Sequence, residues 1–354
     1  MHRPDLAPGI LPEAVHVMSD PESGLEGAIV LHSTRLGPAA GGCRFWRYPN
    51  SEAATTDALR LAEGMAYKNA LADLPLGGGK AVIKMPESSF DRGKLFAAFG
   101  REVEKLKGRY VTAEDVGTTV SDMQVVREHC RHVSGLEQGG ASPGGDPSPW
   151  TALGVFHAME EAAQRKFSSG LRGLTVAVQG LGNVGSNLCD LLHAAGAKLV
   201  VADVRSGVAI AVAGRYNARI LSPEAVLAAE CDILAPCALG AVFNSETVGK
   251  VQAKIVCGAA NNVLATEEDG YALEERGVLY CPDYVVNAGG IINVCAEYLG
   301  WRQDEVDARI KATGKRLGDI LDFAEGNSLA AHVAADRLAR AKIAGNSTKR
   351  FEAA

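Results

Sequence analysis

The chain predicts an α/β protein of two domains: an N-terminal α/β domain followed by a doubly wound parallel sheet. Three observations carry this. Short apolar runs alternate with amphipathic stretches of helical period along nearly the whole chain. A Gly-, Pro- and Ser-rich stretch, QGGASPGGDPSP at 138–149, breaks the alternation. Beyond it, LTVAVQGLGNVGSNLCDLLHAAGAKLVVAD at 174–203 sets an apolar strand, a Gly-x-Gly-x-x-Gly turn, an amphipathic helix and a second apolar strand that ends in an acid. A length of 354 residues suits two domains, each with its own core.

In the front half, residues 27–32 (GAIVLH) and 43–48 (CRFWRY) read as strands, 51–71 as a helix and 81–84 as a strand. A helix at 90–106, a strand at 110–112 and a helix at 121–130 follow. After the break, 151–167 reads as a helix leading into the 174–203 unit. Strand-like runs at 231–236, 254–257 and 278–281, separated by helical segments, complete the parallel sheet. Residues 304–344 read as helical, with fraying expected after about Ala344. The predicted domains are 1–137 and 138–325, with 326–354 packing back on the first.

Composition narrows the function. The formal net charge is −6, which gives no support for a nucleic-acid or anionic-membrane partner. The N-terminal MHRPDLAPGILPEAVHV is broken by prolines and lacks the apolar centre of a secretory signal. The eight cysteines are scattered, with no Cys-x-x-Cys pair, and most lie in apolar runs. They read as reduced core residues of a cytoplasmic protein, with no metal expected.

The 174–203 unit is the dinucleotide fingerprint of a Rossmann domain in its proper context. Gly180 allows the tight turn, Gly182 lets backbone approach a pyrophosphate, and Gly185 lets helix and strand pack closely. The phosphates are expected at the helix N-terminus, where free N–H groups and the dipole favour an anion. Asp203 is placed to hydrogen-bond the adenosine ribose, which favours NAD; Arg205, two residues on, is also able to meet a 2′-phosphate.

GMAYKNALADLPLGGGK (64–80) is the second signal. Leu61, Met65 and Lys68 share one helix face, predicted to be an apolar buried stripe apart from the lysine. A buried lysine needs a partner or a site to serve, although the position also suits one snorkelling at the helix edge. Lys80 follows Gly77–Gly79, read as a loop that brings backbone near a ligand and projects the lysine into a cleft, although the position also suits a solvated lysine opening the strand that follows. A partly desolvated lysine near a second cation has a depressed pKa and acts as a base near neutral pH. Asp115, just past the 110–112 strand, reads either as a proton-transfer group or as a turn or helix cap.

The chain resembles the glutamate/leucine/phenylalanine/valine dehydrogenase family over nearly its whole length. The likeness rests on LGPAAGGCR (36–44), GMAYKNA (64–70), LGGGKAVI (76–83), VTAEDVGT (111–118), APCALG (235–240), CGAANN (257–262) and PDYVVNAGGIINV (282–294). It implies NAD-dependent, reversible oxidative deamination of an L-amino acid to the 2-oxo acid and ammonia, in a cleft that closes between the domains of a homo-oligomer. It implies that Lys68 binds the substrate α-carboxylate, helped by backbone at Gly41 and Gly42 and by Asn261. Lys80 would be the general base that activates water, and Asp115 would exchange protons with the substrate nitrogen. The implied cofactor set is Gly180, Gly182, Asn183, Val184, Gly185, Asp203, Arg205, Thr151, Cys237, Ala238, Ala259, Asn262 and Asn287, with Thr151 and Asn262 on the nicotinamide side.

Glutamate-specific members of the family place a lysine at position 40. Ala40 offers no charge, and burying a glutamate side chain unpaired costs several kcal/mol. The expected substrate is a hydrophobic amino acid, with Ala40, Met65, Ala113, Ile291 and Val294 lining its side-chain pocket. Ala40 favours a bulky side chain such as phenylalanine, whereas Val294 and the Ala113-Glu114-Asp115 segment resemble branched-chain members. Cys43, where threonine is common, and the bulky Trp150 depart from the family pattern. A relative acting on another 2-oxo acid and a non-catalytic NAD-binding regulator are the alternatives, the second disfavoured because Lys80 and Asp115 are both present.

Overall fold

The structure is a computed structural model that describes residues 11–136, 145–238 and 240–345. The 138–144 part of the Gly/Pro-rich break and the expected fraying past 345 lie outside those residues. Within them the chain forms two compact units, one of residues 11–136 and 339–345, the other of 145–338.

The first unit contains β1 (Ala14–Asp20), β2 (Leu25–Ser33), β3 (Ala39–Ala40), β4 (Cys43–Trp46), α1 (Ser51–Leu71), β5 (Gly77–Lys84), α2 (Arg92–Lys105), β6 (Tyr110–Val111) and α3 (Val120–His129). The sheet runs β1-β2-β5-β3-β6, with β4 also paired to β5. Its first two pairings are antiparallel and the others parallel. Alternation along the strands separates two cores. Ile29, Leu31, Ala81 and Ile83 join Phe45, Phe96, Phe99 and Tyr110 in one cluster. Val30 and Val82, the intervening residues, meet Ala54, Ala58 and Ala62 of α1 in another. Asn50 caps α1 by accepting from the Ala53 amide at 2.8 Å.

Two expectations for this unit need correction. The buried stripe of α1 is Ala54, Ala58, Ala62, Ala66 and Ala70, whereas Leu61, Met65 and Lys68 are only half-buried. Alanine contributes little to a hydrophobic pattern, yet its small side chain lets a helix lie close on a sheet. Gly77–Gly79 are not a loop but the start of β5, directly under that helix. A Cβ on Gly78 would fall 2.2 Å from the Ala66 backbone N and Cα, and one on Gly77 would fall 1.9 Å from the Ser33 carbonyl. These glycines serve strand and helix packing.

The second unit holds α4 (Ser148–Phe167), β7 (Thr175–Gln179), α5 (Asn183–Ala194), β8 (Lys198–Ala202), α6 (Ser206–Tyr216), β9 (Arg219–Ile220), β10 (Ile233–Pro236) and β11 (Ile255–Val256). It continues with α7 (Glu267–Glu275), β12 (Leu279–Tyr280), α8 (Asp283–Val286), α9 (Gly289–Leu299), α10 (Gln303–Lys311), α11 (Thr313–Gly326) and most of α12 (Ala331–Ile343). The sheet is wholly parallel, in the order β12-β11-β10-β7-β8-β9. The chain therefore reverses its direction of winding between β7 and β10, the switch point where doubly wound sheets bind ligands beyond the strand carboxyl ends. Its core gathers Leu234, Phe243, Val256, Leu273 and Tyr280. The unit boundary falls inside α12, after Leu338. In the first unit Arg340 donates to the Tyr67 hydroxyl at 2.8 Å, and Lys342 pairs with Asp73.

Among the described residues no helix is long and apolar enough to cross a membrane, and no group of His, Cys, Asp and Glu is arranged to hold a metal ion. All eight cysteines are free thiols; Cys231 and Cys237 are half-buried and the others buried.

Candidate active site

Lys80 lies in β5 with its side chain almost wholly buried. Its Nζ sits 2.9 Å from Oδ2 of Asp115, which follows β6. The loop that carries Asp115 is fastened to β4. The Cys43 amide donates to the Ala113 carbonyl at 2.8 Å, and the Asp115 amide donates to Thr118 Oγ1 at 2.9 Å. Gly117, at φ +84°, closes the turn where a Cβ would strike the Phe45 carbonyl at 1.8 Å.

Burial alone would raise the Asp115 pKa, but Lys80 and then Arg44 outweigh it and hold the carboxyl below its ordinary value. The Asp115 side chain is thus committed to the two cations. Lys80 does not have a second cation as its nearest charge, as its sequence setting suggested, but a carboxylate. Arg44 received no role from the sequence. Its Nε lies 3.2 Å from Asp115 Oδ2 and its Nη1 3.0 Å from Asp57 Oδ2. The only local signal was alternation in β4, where Cys43 and Phe45 are buried and Arg44 takes the other face.

Gly41 and Gly42 join β3 to β4 beside these groups. A Cβ on Gly41 would be 1.9 Å from the Gly79 carbonyl and 3.2 Å from Met65 Cγ; one on Gly42 would be 2.8 Å from Asp115 Cβ. Ala40 and Ala113 are buried on neighbouring strand ends. Lys68 is half-buried in the last turn of α1. That turn is anchored by the fully buried Asn69, whose Nδ2 donates to the Gly77 carbonyl at 2.6 Å. Asn69 is a positioning group that the motif contained but the sequence reading passed over. The first unit therefore places Lys80, Asp115, Gly41, Gly42, Met65, Ala40 and Ala113 around one sheet end, with Arg44 added.

In the second unit the residues expected to bind the cofactor include Gly180–Gly185 after β7, Asp203 and Arg205 after β8, Cys237 and Ala238 after β10, and Ala259 and Asn262 after β11, with Thr151 on α4 and Asn287 just past α8. Gly180, at φ +93°, has Ala238 so near that a Cβ would lie 2.7 Å from the Ala238 Cβ. A Cβ on Gly185 would sit 2.0 Å from the Gly180 carbonyl and 3.4 Å from Cys237 Cβ, which explains the third glycine by turn–helix packing. Gly182 differs: a Cβ there would meet nothing within 4 Å. It is the N-cap of α5 and brings no side-chain cap to the helix amides. A side chain would occupy the space before an uncapped helix N-terminus, so the turn fits a pyrophosphate at Gly182, Asn183 and Val184.

Asp203 Oδ2 accepts from the Leu181 amide at 2.8 Å, while Oδ1 accepts from the Arg205 amide at 2.8 Å and Nε at 3.0 Å. The Arg205 hydrogen bond leads in lowering the Asp203 pKa to about 2. Asn287 is buried; its Nδ2 donates to the Ala259 carbonyl at 3.1 Å and to Asn261 Oδ1 at 2.9 Å. Asn262 adopts a left-handed φ of +52°, and its carbonyl accepts from the Ala241 amide at 2.7 Å. Thr151, in the first turn of α4, donates to the Pro147 carbonyl at 2.9 Å. Gly290 of α9 packs beneath that hydroxyl, and Gly289 beneath the Trp150 carbonyl, where Cβ atoms would come to 2.5 and 2.0 Å. Ile291 is half-buried and Val294 buried one turn later on α9.

Matches to known proteins extend over both units. Residues 12–132 match the family model of the Glu/Leu/Phe/Val dehydrogenase dimerisation domain; residues 146–222 and 211–350 match that of Glutamate/Leucine/Phenylalanine/Valine dehydrogenase. The chain is 44% identical over 333 residues to leucine dehydrogenase of Bacillus cereus, covering 94% of this chain and 91% of the relative. It is 46% identical over 342 residues to valine dehydrogenase of Streptomyces albus, covering 94% and 92%. Among solved structures, L-tryptophan dehydrogenase from Nostoc punctiforme superposes with a TM-score of 0.83 at 38% identity, covering 96% of this chain and 98% of that one. On these matches the chain belongs to the glutamate/leucine/phenylalanine/valine dehydrogenase family and is an amino-acid dehydrogenase acting on the CH–NH2 group.

Proposed function

We propose that the protein catalyses the reversible, NAD-dependent oxidative deamination of hydrophobic L-amino acids to 2-oxo acids and ammonia. The observation that carries the reaction assignment is the buried Lys80 Nζ at 2.9 Å from Asp115 Oδ2. A base that takes a proton from water must pass it on, and that contact offers a direct route from Nζ to the carboxylate. Lys80 is the proposed base, and Asp115 exchanges protons with the substrate nitrogen. When bound, the nicotinamide dinucleotide supplies the hydride acceptor; Gly180, Gly182 and Gly185 shape its pyrophosphate site. Thr151, Cys237, Ala238, Ala259, Asn262 and Asn287 are proposed to serve the cofactor on the same face of the second unit. Asn261, Ile291 and Val294 are proposed to serve the substrate. NAD is favoured because the Asp203 carboxylate repels a 2′-phosphate and already holds the Arg205 guanidinium.

The apolar substrate rests on Ala40 and Ala113, buried and uncharged, and is supported by the leucine, valine and tryptophan named for the relatives. A steady-state panel of leucine, valine, phenylalanine, tryptophan and glutamate, each with NAD and with NADP, tests both choices. The best apolar amino acid is expected to exceed glutamate in kcat/KM by at least about a hundredfold, given the cost of an unpaired buried charge. NAD is expected to exceed NADP. Glutamate or NADP in first place would overturn the corresponding choice.

Lys68 is proposed to bind the substrate α-carboxylate. Its contact is present in ground and transition states alike, so Lys68→Ala should raise KM for the amino acid about ten- to a hundredfold and leave kcat nearly unchanged. An unchanged KM would return Lys68 to a snorkelling role.

A further inference from the structure

Arg44 stands between two carboxylates from different elements. From β4 its guanidinium reaches Asp115 Oδ2 with Nε at 3.2 Å and Asp57 Oδ2, on α1, with Nη1 at 3.0 Å. The Tyr48 hydroxyl donates to the same Asp57 oxygen at 2.6 Å, and Arg60 Nη2 lies 3.3 Å from Asp57 Oδ1. Asp57 is therefore pinned from three directions, and it pins Arg44 in turn. Lys80 and Arg44 converge on one oxygen, Asp115 Oδ2. A continuous chain, Tyr48–Asp57–Arg44–Asp115–Lys80, links α1, β4, the loop after β6 and β5.

The charge balance gives this chain a purpose. With Lys80 protonated, Asp115 has two cationic partners. Whenever Lys80 is neutral, the carboxylate would, but for Arg44, be left in a largely buried place without a counter-ion, which is strongly unfavourable. Arg44 stays charged at all working pH values and keeps one partner in place. Its planar fork also fixes where the carboxylate points, because its other edge is tied to Asp57.

We infer that Arg44, anchored by Asp57 and Tyr48, is a positioning residue of the reaction: it holds the Asp115 carboxylate against Lys80 Nζ throughout the proton transfer. The inference rests on the proposed roles of Lys80 and Asp115. The groups facing this carboxylate are Lys80 from β5, Arg44 from β4 and the Val116 amide of its own loop, with the buried Cys43 thiol beside them. Of these, Arg44 is the permanently charged one.

The test compares Arg44→Gln, Arg44→Lys, Asp57→Asn and Asp115→Asn with the unaltered protein. It reads kcat, KM for the preferred amino acid, and the pH profile of kcat/KM by absorbance of the reduced nicotinamide. Arg44→Gln is expected to lower kcat about ten- to a hundredfold with KM within threefold, and to move the ascending limb of the profile to higher pH. The upward direction follows because loss of a neighbouring cation favours the protonated form of both Lys80 and Asp115. Asp57→Asn, which releases Arg44 without removing its charge, should lower kcat by less than Arg44→Gln, and Arg44→Lys should recover part of the rate.

A folded Arg44→Gln protein with unaltered kcat and limb overturns the inference. So does an equal loss in the Gln and Lys variants with the limb unmoved, since that marks a purely structural residue. If Arg44→Gln does not fold, Asp57→Asn decides: a folded Asp57→Asn protein with unaltered kcat overturns the inference. Asp115→Asn separates the two levels: wild-type turnover there sinks the underlying proton-transfer reading, whatever Arg44 does.

Discussion

Lys80→Ala is expected to reduce kcat by at least about a thousandfold, within the range that a positioned acid–base group contributes. Dinucleotide affinity should stay within about twofold, since pyrophosphate binding is assigned to the Gly180–Gly185 turn, on a different unit from Lys80. Lys80 is only 4% exposed, so water does not readily replace it. The Asp115 carboxylate at 2.9 Å is its proposed proton partner. The substitution should leave the fold intact, because Asp115 keeps Arg44 at 3.2 Å and does not become an orphaned buried charge. Single-turnover kinetics by nicotinamide absorbance, set beside calorimetric dinucleotide binding, checks both halves. A variant that retains a tenth of the turnover would remove Lys80 from the chemistry. A parallel loss of dinucleotide binding would show that the change acted through the fold.

Gly78→Val should be the most disruptive single change in the first unit. A Cβ there would lie 2.2 Å from both N and Cα of Ala66 and 2.3 Å from its Cβ. Backbone atoms cannot rotate away, so α1 would have to lift off β5. The expected cost is at least about 4 kcal/mol, in the range reserved for overpacking with no room to relax. Urea titration should show a large fall in the midpoint, or the protein should fail to accumulate in soluble form. Adding Ala66→Gly removes only the Cβ contact and leaves the two backbone contacts, so the pair should remain about as unstable. Full rescue by that second change would mean that the helix is free to shift. The same contact has a functional side: α1 carries Lys68 and β5 carries Lys80, so the depth at which the helix rests sets the height of one lysine relative to the other.

These cases show what a linear reading reaches. The dinucleotide turn was legible because its demands are local. A strand, three glycines at fixed spacing, a helix and an acid fall within 174–203, and each glycine's backbone freedom or close contact is set within that unit or at the neighbouring 237–238 segment. The helix at 51–71 was legible too, bounded by a capping residue and free of proline. The strands β1, β3 and β9 were not. β1 turns Val15 and Val17 outward against the usual pattern, and the other two are only two residues long.

By itself, the sequence established the α/β class, the strand–glycine turn–helix unit and the family, and it singled out the lysines and the aspartate proposed to carry the chemistry. Only the tertiary structure decided which face of α1 is buried, that Gly77–Gly79 form a strand under a helix, and that Lys80 faces a carboxylate shared with Arg44. The reason is physical. Turn geometry and helix capping act between residues a few positions apart, whereas Arg44 and Asp115 are 71 residues apart and meet only when the β4–β5 pairing and the loop after β6 are in place. A charge takes its meaning from its neighbours in space, and strand register, not chain order, chooses them.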